Sequence, residues 1–194
     1  VTGEVKVGDI CEAGVCISNS EIGFGALVVE PIINRLVCLN GMKVNDGKYR
    51  RHHVGTRADK TEGVYELLTD ETKQADDKAI LLKARDVVRG ALDREIFERT
   101  LVRLRQTTEN RIEGDPVKAV EILGDTVGLD KEETTGVLRH LIEGHDLTQW
   151  GLLNAVTRQA QDVESYDRYD ELEAAGGKVL DLSATQWTAI AEAA

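Results

Sequence analysis

Hydrophobic and polar positions change their period partway along this chain of 194 residues. Residues 5–30 alternate β-branched or aliphatic side chains with polar ones and are interrupted by glycines, which is the pattern of half-buried strands. From about Thr69 onward, apolar residues recur at helical spacing with charged residues opposite them. A β-rich part followed by a helical part favours an α+β fold over an alternating α/β fold.

The N-terminal part is predicted to form a small antiparallel sheet. The turn Asn45-Asp46-Gly47 lies between two alternating runs and predicts a hairpin of strands 42–44 and 49–54. Before it, Pro31 suits the first position of a helix and Asn40-Gly41 suits a left-handed stop. A short helix is therefore predicted here, with a strand as the alternative because the segment is short and β-branched.

The C-terminal part is predicted to hold five or six helices that pack against the sheet. A break is expected near Gly90 and Asp93, and Gly144 and the pair Gly176-Gly177 are expected to end helices. A short strand, residues 178–182, is predicted after that pair. Side chains suited to capping a helix N-terminus are Asp115 (followed by Pro116), Asp130, Asp146 or Thr148, Ser165 and Ser183.

These parts are predicted to form one continuous domain, with residues 1–60 as the β-rich part and residues 61–194 as the helical part. The sequence has a strand-like pattern almost from Val1, so we expect the native protein to carry further N-terminal sequence. No signal peptide is visible, and no apolar run is long enough to cross a membrane. A cytoplasmic location is expected.

The three cysteines, Cys11, Cys16 and Cys38, are an odd number without an extracellular marker, which favours a reducing compartment. Together with His52 or His53 they could be drawn as a zinc site, but their spacing fits no common ligand module. Free cysteines pack as small hydrophobic residues, so we expect core positions and neither a metal nor a cofactor.

The net charge of −11 is spread unevenly. Residues 1–60 hold 8 Lys and Arg against 7 Asp and Glu, so the excess of acid lies in the remainder. Residues 43–57 hold five basic residues and one acidic residue, Asp46. Cations beside rings that can stack are typical of single-stranded nucleic-acid binding. The residues predicted to contact nucleic acid are Lys43, Lys48, Tyr49, Arg50, Arg51, His53 and Arg57.

Other interpretations of this segment stay open. Lys and Arg on an edge strand also discourage pairing between sheets, which needs no ligand. The sequence lacks a nucleophile elbow, a dinucleotide fingerprint, a phosphate-binding lysine loop and the helical zinc-protease motif. These absences favour binding over catalysis. One catalytic alternative remains, a cluster of Asn19, Glu21, His53 and Asn154.

Several short motifs occur together in the order of a known family. They are Asn19-Ser20-Glu21 with Gly23; Cys38, Asn40 and Gly41; Arg51, His53 and Gly55; and Asn154, Ala155 and Thr157. In this order the chain resembles the phage and plasmid proteins grouped as domain of unknown function 932. The resemblance covers most of residues 14–187. It implies that the first three motifs form one spatial cluster. Asn154 lies among apolar residues of its predicted helix, so we expect it to make a structural hydrogen bond to the loop around Asn19.

The resemblance places the chain among proteins of phages, plasmids and integrated elements, in the host cytoplasm. It implies a role in the DNA metabolism of mobile elements. Together with the basic segment and the absent catalytic motifs, this favours a non-enzymatic protein that assists annealing or recombination, with single-stranded DNA as the expected partner. The expected sheet backed by a helix is loosely similar to single-strand annealing proteins of the Rad52 type, an analogy of fold alone. Self-association is expected. A structural module that binds other proteins through its acidic helices is the alternative.

Overall fold

The computed structural model describes residues 1–18, 26–36, 40–43, 49–52 and 69–194. The side chains of residues 26, 40 and 49–52 lie outside this description, although their backbones belong to strands. The described part is α+β, as the sequence predicts: an antiparallel sheet comes first along the chain and helices follow it.

The sheet contains five strands within the described residues, and all of its pairings are antiparallel. Strand β2 lies between β1 and β3, and the other edge of β3 pairs with β4 and β5. The β pattern predicted for residues 5–30 is confirmed by β1, β2 and the start of β3. The strands are β1 (Thr2–Lys6), β2 (Asp9–Ser18), β3 (Ala26–Arg35), β4 (Asn40–Lys43) and β5 (Tyr49–His52).

The short helix predicted from Pro31 is wrong, and its strand alternative is confirmed. Residues 31–35 continue β3, where Pro31 pairs with Val15 and Ile33 pairs with Ala13. Strand pairing outweighs the local helix signals here, because β3 lies between two strands and its backbone groups form hydrogen bonds with both of them. Gly41 belongs to β4 and ends no helix.

The predicted hairpin of residues 42–54 is also wrong. Both β4 and β5 run antiparallel to β3, so they point in the same direction and lie end to end along one edge. Ile32 of β3 pairs with Lys43 of β4, and Val29 of β3 pairs with Tyr49 of β5.

Seven helices follow within residues 69–194, more than the five or six predicted. Their N-terminal caps include all of the predicted positions, with Thr148 rather than Asp146 as the cap of its helix. The predicted break near Asp93 is confirmed, since Asp93 caps a new helix. The helices are α1 (Asp70–Ala91), α2 (Arg94–Thr107), α3 (Pro116–Val127), α4 (Lys131–Glu143), α5 (Gln149–Ala160), α6 (Tyr166–Leu180) and α7 (Ala184–Ala191).

Helix α6 runs through the predicted stop at Gly176-Gly177, and the predicted strand 178–182 is wrong. The two glycines are points of close approach. A Cβ on Gly176 would collide with Thr157 of α5, and one on Gly177 would collide with the main-chain oxygen of Lys43 at the end of β4. Glycine lowers helix propensity, but here it lets α6 pack against both neighbours.

The hydrophobic core lies between one face of the sheet and the helices. We call this the inner face; it includes Cys11, Ala13, Ile33 and Met42, which pack with apolar residues of α2 and α5. The register puts Cys16, Glu30, Ile32 and Lys43 on the opposite, outer face. Helix α1 contacts β2, β3 and β5, whereas α6 contacts β4.

Among the described helices, none combines the length and apolarity needed to span a bilayer.

Candidate functional site

Half of the twelve sequence-predicted site residues fall outside the described residues. These are Asn19, Ser20, Glu21, Lys48, His53 and Arg57. The backbones of Asn40, Tyr49, Arg50 and Arg51 are described as strand. The predicted clustering of the Asn19, Asn40 and Arg51 motifs therefore stays a prediction, as does the catalytic cluster of Asn19, Glu21, His53 and Asn154.

Strand β5 carries the basic Tyr49-Arg50-Arg51-His52 run along the edge of the sheet. Arg50 is the register partner of Val28, and Arg51 is the partner of Leu27. Since successive positions of a strand alternate between its faces, Arg50 and Arg51 occupy positions on opposite faces.

Lys43, predicted to contact phosphate, instead lies in a buried ionic cluster on the outer face. Its side chain is 2% exposed, and its ammonium lies 2.7 Å from the Glu30 carboxylate and also bonds Asp170 of α6. A buried ammonium that is neutralised by two carboxylates has no free charge for a phosphate. Lys43 is therefore removed from the predicted nucleic-acid contacts.

A third carboxylate, Glu173, lies one helical turn beyond Asp170 and is 4% exposed. Burial raises the pKa of its carboxyl, while a hydrogen bond from Tyr169 (2.8 Å) and the nearby Lys43 ammonium oppose that rise. Burial and the bond to Glu173 raise the pKa of Tyr169 to about 12. Gly41 lies beneath Glu173, and a Cβ at this position would collide with the carboxylate.

Cys16 lies at the border of this cluster, half-buried and paired in register with Glu30. Its thiol and the carboxylates of Glu30 and Asp170 lie within 4.8 Å of one another, close enough for shared metal ligation. However, the Lys43 ammonium already bonds both carboxylates. The cluster therefore supplies its own cation, and the donor set is better suited to Lys43 than to a metal ion.

The buried ionic cluster joins β3, β4 and α6. Because Glu30, Lys43 and Glu173 are each no more than 4% exposed, a substrate cannot reach them, and the arrangement fits a structural role. Sequence reasoning missed it because Lys43 and Asp170 are 127 positions apart. The sequence did contain a signal for this cluster: two charged residues, Glu30 and Lys43, occur within otherwise apolar strand segments.

Asn154 is half-buried on α5, and its amide nitrogen donates to the main-chain oxygen of Trp150 on the same helix (2.7 Å). The Thr157 hydroxyl likewise donates to the main-chain oxygen of Leu153 (3.1 Å). These bonds within one helix are what polar residues on a buried helix face need. They give the Asn154 motif a structural explanation.

Arg35, the last residue of β3, makes a bidentate pair with Asp9 of β2. The two bonds measure 2.6 and 2.7 Å, and the Trp150 indole N–H also donates to Asp9 at 3.2 Å. The Arg35 guanidinium lies over the Trp150 ring, 5.5 Å from its centroid. Planar stacking and paired bonds hold β2, β3 and α5 together.

Charge is segregated along the folded chain. Residues 109–194 hold 7 Lys and Arg against 18 Asp and Glu. Helix α1 as a whole is balanced, with 5 against 5, but from residue 78 to residue 105 the count is 8 against 4. Several cations of α1 and α2 make no ion pair within the described part. We call these cations together with β5 the basic surface; they are Lys78, Lys83, Arg89, Arg94 and Arg99.

The first set of cations lies in β5, and a second set, Lys78, Lys83 and Arg89, lies in α1, which contacts both β5 and β3. Sequence reasoning located only the first set, since α1 looks like an ordinary solvated helix from its periodicity alone.

Comparisons with known proteins give a family and no activity. No curated protein and no solved structure matches the chain. A family model described as "Domain of unknown function (DUF932)" matches residues 2–190, nearly the whole chain. The match confirms the family resemblance drawn from the motifs, and the chain belongs to the DUF932 family.

Proposed function

We propose that this chain is a phage or mobile-element protein that binds nucleic acid without catalysis, through the basic surface. The observation that carries the proposal is the contact between α1 and β5, because it brings the helix that carries Lys78, Lys83 and Arg89 against the strand that carries Arg50 and Arg51 in a chain of net charge −11. Clustered cations release counterions from a phosphate backbone when they bind it, even on an acidic protein. The mobile-element setting and the annealing or recombination role come from the family resemblance.

The revised set of contacts excludes Lys43 and adds the helical cations. On β5 the proposed contacts are Arg50 and Arg51, and Lys48, Tyr49, His53 and Arg57 remain as predicted from the sequence. On the helices, Lys83 and Arg99 are exposed and make no ion pair in the described part of the chain. A nucleic-acid strand that follows α1 would meet both sets in turn.

The proposal is tested by measuring the affinity for labelled single-stranded DNA over a salt series. For native protein, the logarithm of the association constant should fall linearly with that of the salt concentration, by about 0.7 per phosphate contact. Arg50→Ala/Arg51→Ala and Lys83→Ala/Arg99→Ala should each weaken binding and make the slope shallower by about 1.4 if both cations contact phosphate.

Lys131→Ala/Lys178→Ala is the matched control, because it removes the same charge from exposed positions on the acidic helices. It should leave the slope unchanged. The proposal is wrong if native protein shows no salt-dependent binding, or if the control weakens binding as much as the two surface variants.

Self-association is a second candidate, favoured by the apolar exposure of α1. Leu81 and Leu82 are 70% and 39% exposed, and Ala91 is the one fully buried residue of this helix. The opposite charges of residues 78–105 and 109–194 favour contact between two copies. Light scattering should give a mass above 21.3 kDa that falls toward it in Leu81→Gln/Leu82→Gln. A native monomer at all concentrations would exclude this candidate.

A further inference from the structure

A groove lies between α1, α2 and the inner face of the sheet. It encloses about 550 Å³, within the range of small-ligand sites. Its walls are mainly apolar and are formed by residues of β3 and the two helices: Pro31, Ile33, Val87, Ala91, Ile96 and Phe97. Hydrophobic walls exposed in a groove favour a ligand that brings apolar surface.

The polar residues of the groove leave positive charge available. Arg103 is paired with Asp181, and Asp86 is paired with Arg85 at 2.9 Å. Arg99 also lines the groove and has no ion pair in the described part of the chain. Lys83, one helical turn before Val87, lies on the same side of α1 and is exposed. The groove therefore combines apolar walls with cations at its border.

We propose that this groove receives unstacked bases of a single-stranded nucleic acid, while Lys83 and Arg99 bind the flanking phosphates. The inference rests on the proposed function, since the same α1 cations belong to the basic surface. A single strand offers anionic phosphates beside bases with apolar faces, which matches cations beside an apolar groove. In a duplex the bases are stacked and paired, so the groove selects single strands.

Gly90 is a position at which a substitution can add a side chain to the groove without changing the residues of its walls. It lines the groove within α1, and a Cβ at this position would meet no atom within 4 Å. Gly90→Leu should therefore place its side chain in the groove without a clash, and it also replaces a poor helix former. Gly90→Ala is the matched control, because it makes the same backbone change and leaves most of the groove open.

The experiment compares two labelled strands of about 12 nucleotides, a length within the site sizes of single-strand binding folds. One is oligothymidylate, and the other is the same sugar-phosphate backbone without bases. Native protein and Gly90→Ala should bind oligothymidylate at least about tenfold more tightly than the strand without bases. Gly90→Leu should remove that difference while its affinity for the strand without bases stays unchanged.

The possible results separate the two proposals. If native protein binds neither strand, the proposed function fails and the inference fails with it. If it binds both strands equally, or if Gly90→Leu keeps the preference for bases, the surface binds phosphate and the groove inference is overturned. A duplex should bind more weakly and be insensitive to Gly90→Leu; an equal loss of duplex binding would overturn the inference. Binding of dodecanoate that Gly90→Leu abolishes, without any base preference in native protein, would assign the groove to an amphiphile instead.

Discussion

Replacing Lys43 by methionine tests the buried ionic cluster most directly. Methionine keeps the length of the side chain but removes the ammonium that lies 2.7 Å from Glu30 and bonds Asp170. The side chains of Lys43 and Glu30 are 2% and 4% exposed, so water cannot replace the lost partner at Glu30. Removing one partner of a buried pair costs about 3–5 kcal/mol of unfolding free energy.

Asp170 adds less to this cost, because its side chain is 34% exposed and can regain water. Glu173 adds to it, because its carboxylate loses the favourable field of the Lys43 ammonium. We therefore expect Lys43→Met to lower the unfolding free energy by about 3–5 kcal/mol. With a typical slope of the unfolding free energy against urea concentration, the urea concentration at the unfolding midpoint should fall by about 1–2 M.

Urea unfolding followed by circular dichroism measures this change, with two further variants as references. Lys43→Met/Glu30→Gln removes the buried negative charge of Glu30 as well and should recover at least about half of the loss. Lys6→Met breaks a 2.6 Å pair with Asp146 whose side chains are 41% and 27% exposed, so it should cost at most about 1 kcal/mol.

The reasoning is refuted if Lys43→Met costs no more than Lys6→Met, or if Glu30→Gln fails to restore stability in the Lys43→Met background. The first result would mean that water reaches the cluster. The second would mean that the loss comes from packing of the lysine stem rather than from stranded charge.

Three further predictions follow from individual contacts. Gly177→Ala should lower the unfolding free energy measured in urea by about 1–3 kcal/mol, because its Cβ collides with the main-chain oxygen at the end of β4. Gly90→Ala is the control and should be neutral or stabilising. Equal effects of the two substitutions would contradict the close approach at Gly177. Glu133→Gln should lose a contribution to the unfolding free energy that native protein retains above pH 4.5 and loses as the pH falls below it, because a hydrogen bond from Arg168 lowers the pKa of Glu133. Burial raises the pKa of Glu173, so the unfolding free energy of Glu173→Gln relative to native should follow the opposite pH trend. Burial raises the pKa of Cys11 to about 12, so a thiol reagent at pH 8 should modify this cysteine only when urea unfolds the protein. Mass spectrometry measures the modification, and fast labelling of Cys11 in native protein would contradict its buried position.

Local signals predicted the helical part well because helix termini are determined by nearby residues. Asp115, Asp130 and Ser183 each accept a hydrogen bond from a backbone N–H two or three positions later, a contact that needs no tertiary partner. The β-rich start and the α+β order followed in the same way from the period of the apolar residues.

The elements that the sequence predicted wrongly depend on contacts between residues far apart in the chain. The segment after Pro31 carries local helix signals, but it lies between β2 and β4, which bond its backbone on both sides. The pair Gly176-Gly177 looks like a helix stop, but α6 needs it to approach α5 and β4 closely. In both places the tertiary environment outweighs a local preference of about 1 kcal/mol per residue.

The sequence by itself determined the family, the order of a β-rich part before a helical part, and most helix caps, because these depend on residues near one another in the chain. Only the tertiary structure decided which charges are free. It buries Lys43 between Glu30 and Asp170, and it brings α1 into contact with β5. Whether a cation can bind a phosphate depends on its burial and its partners, and those partners come from distant parts of the chain.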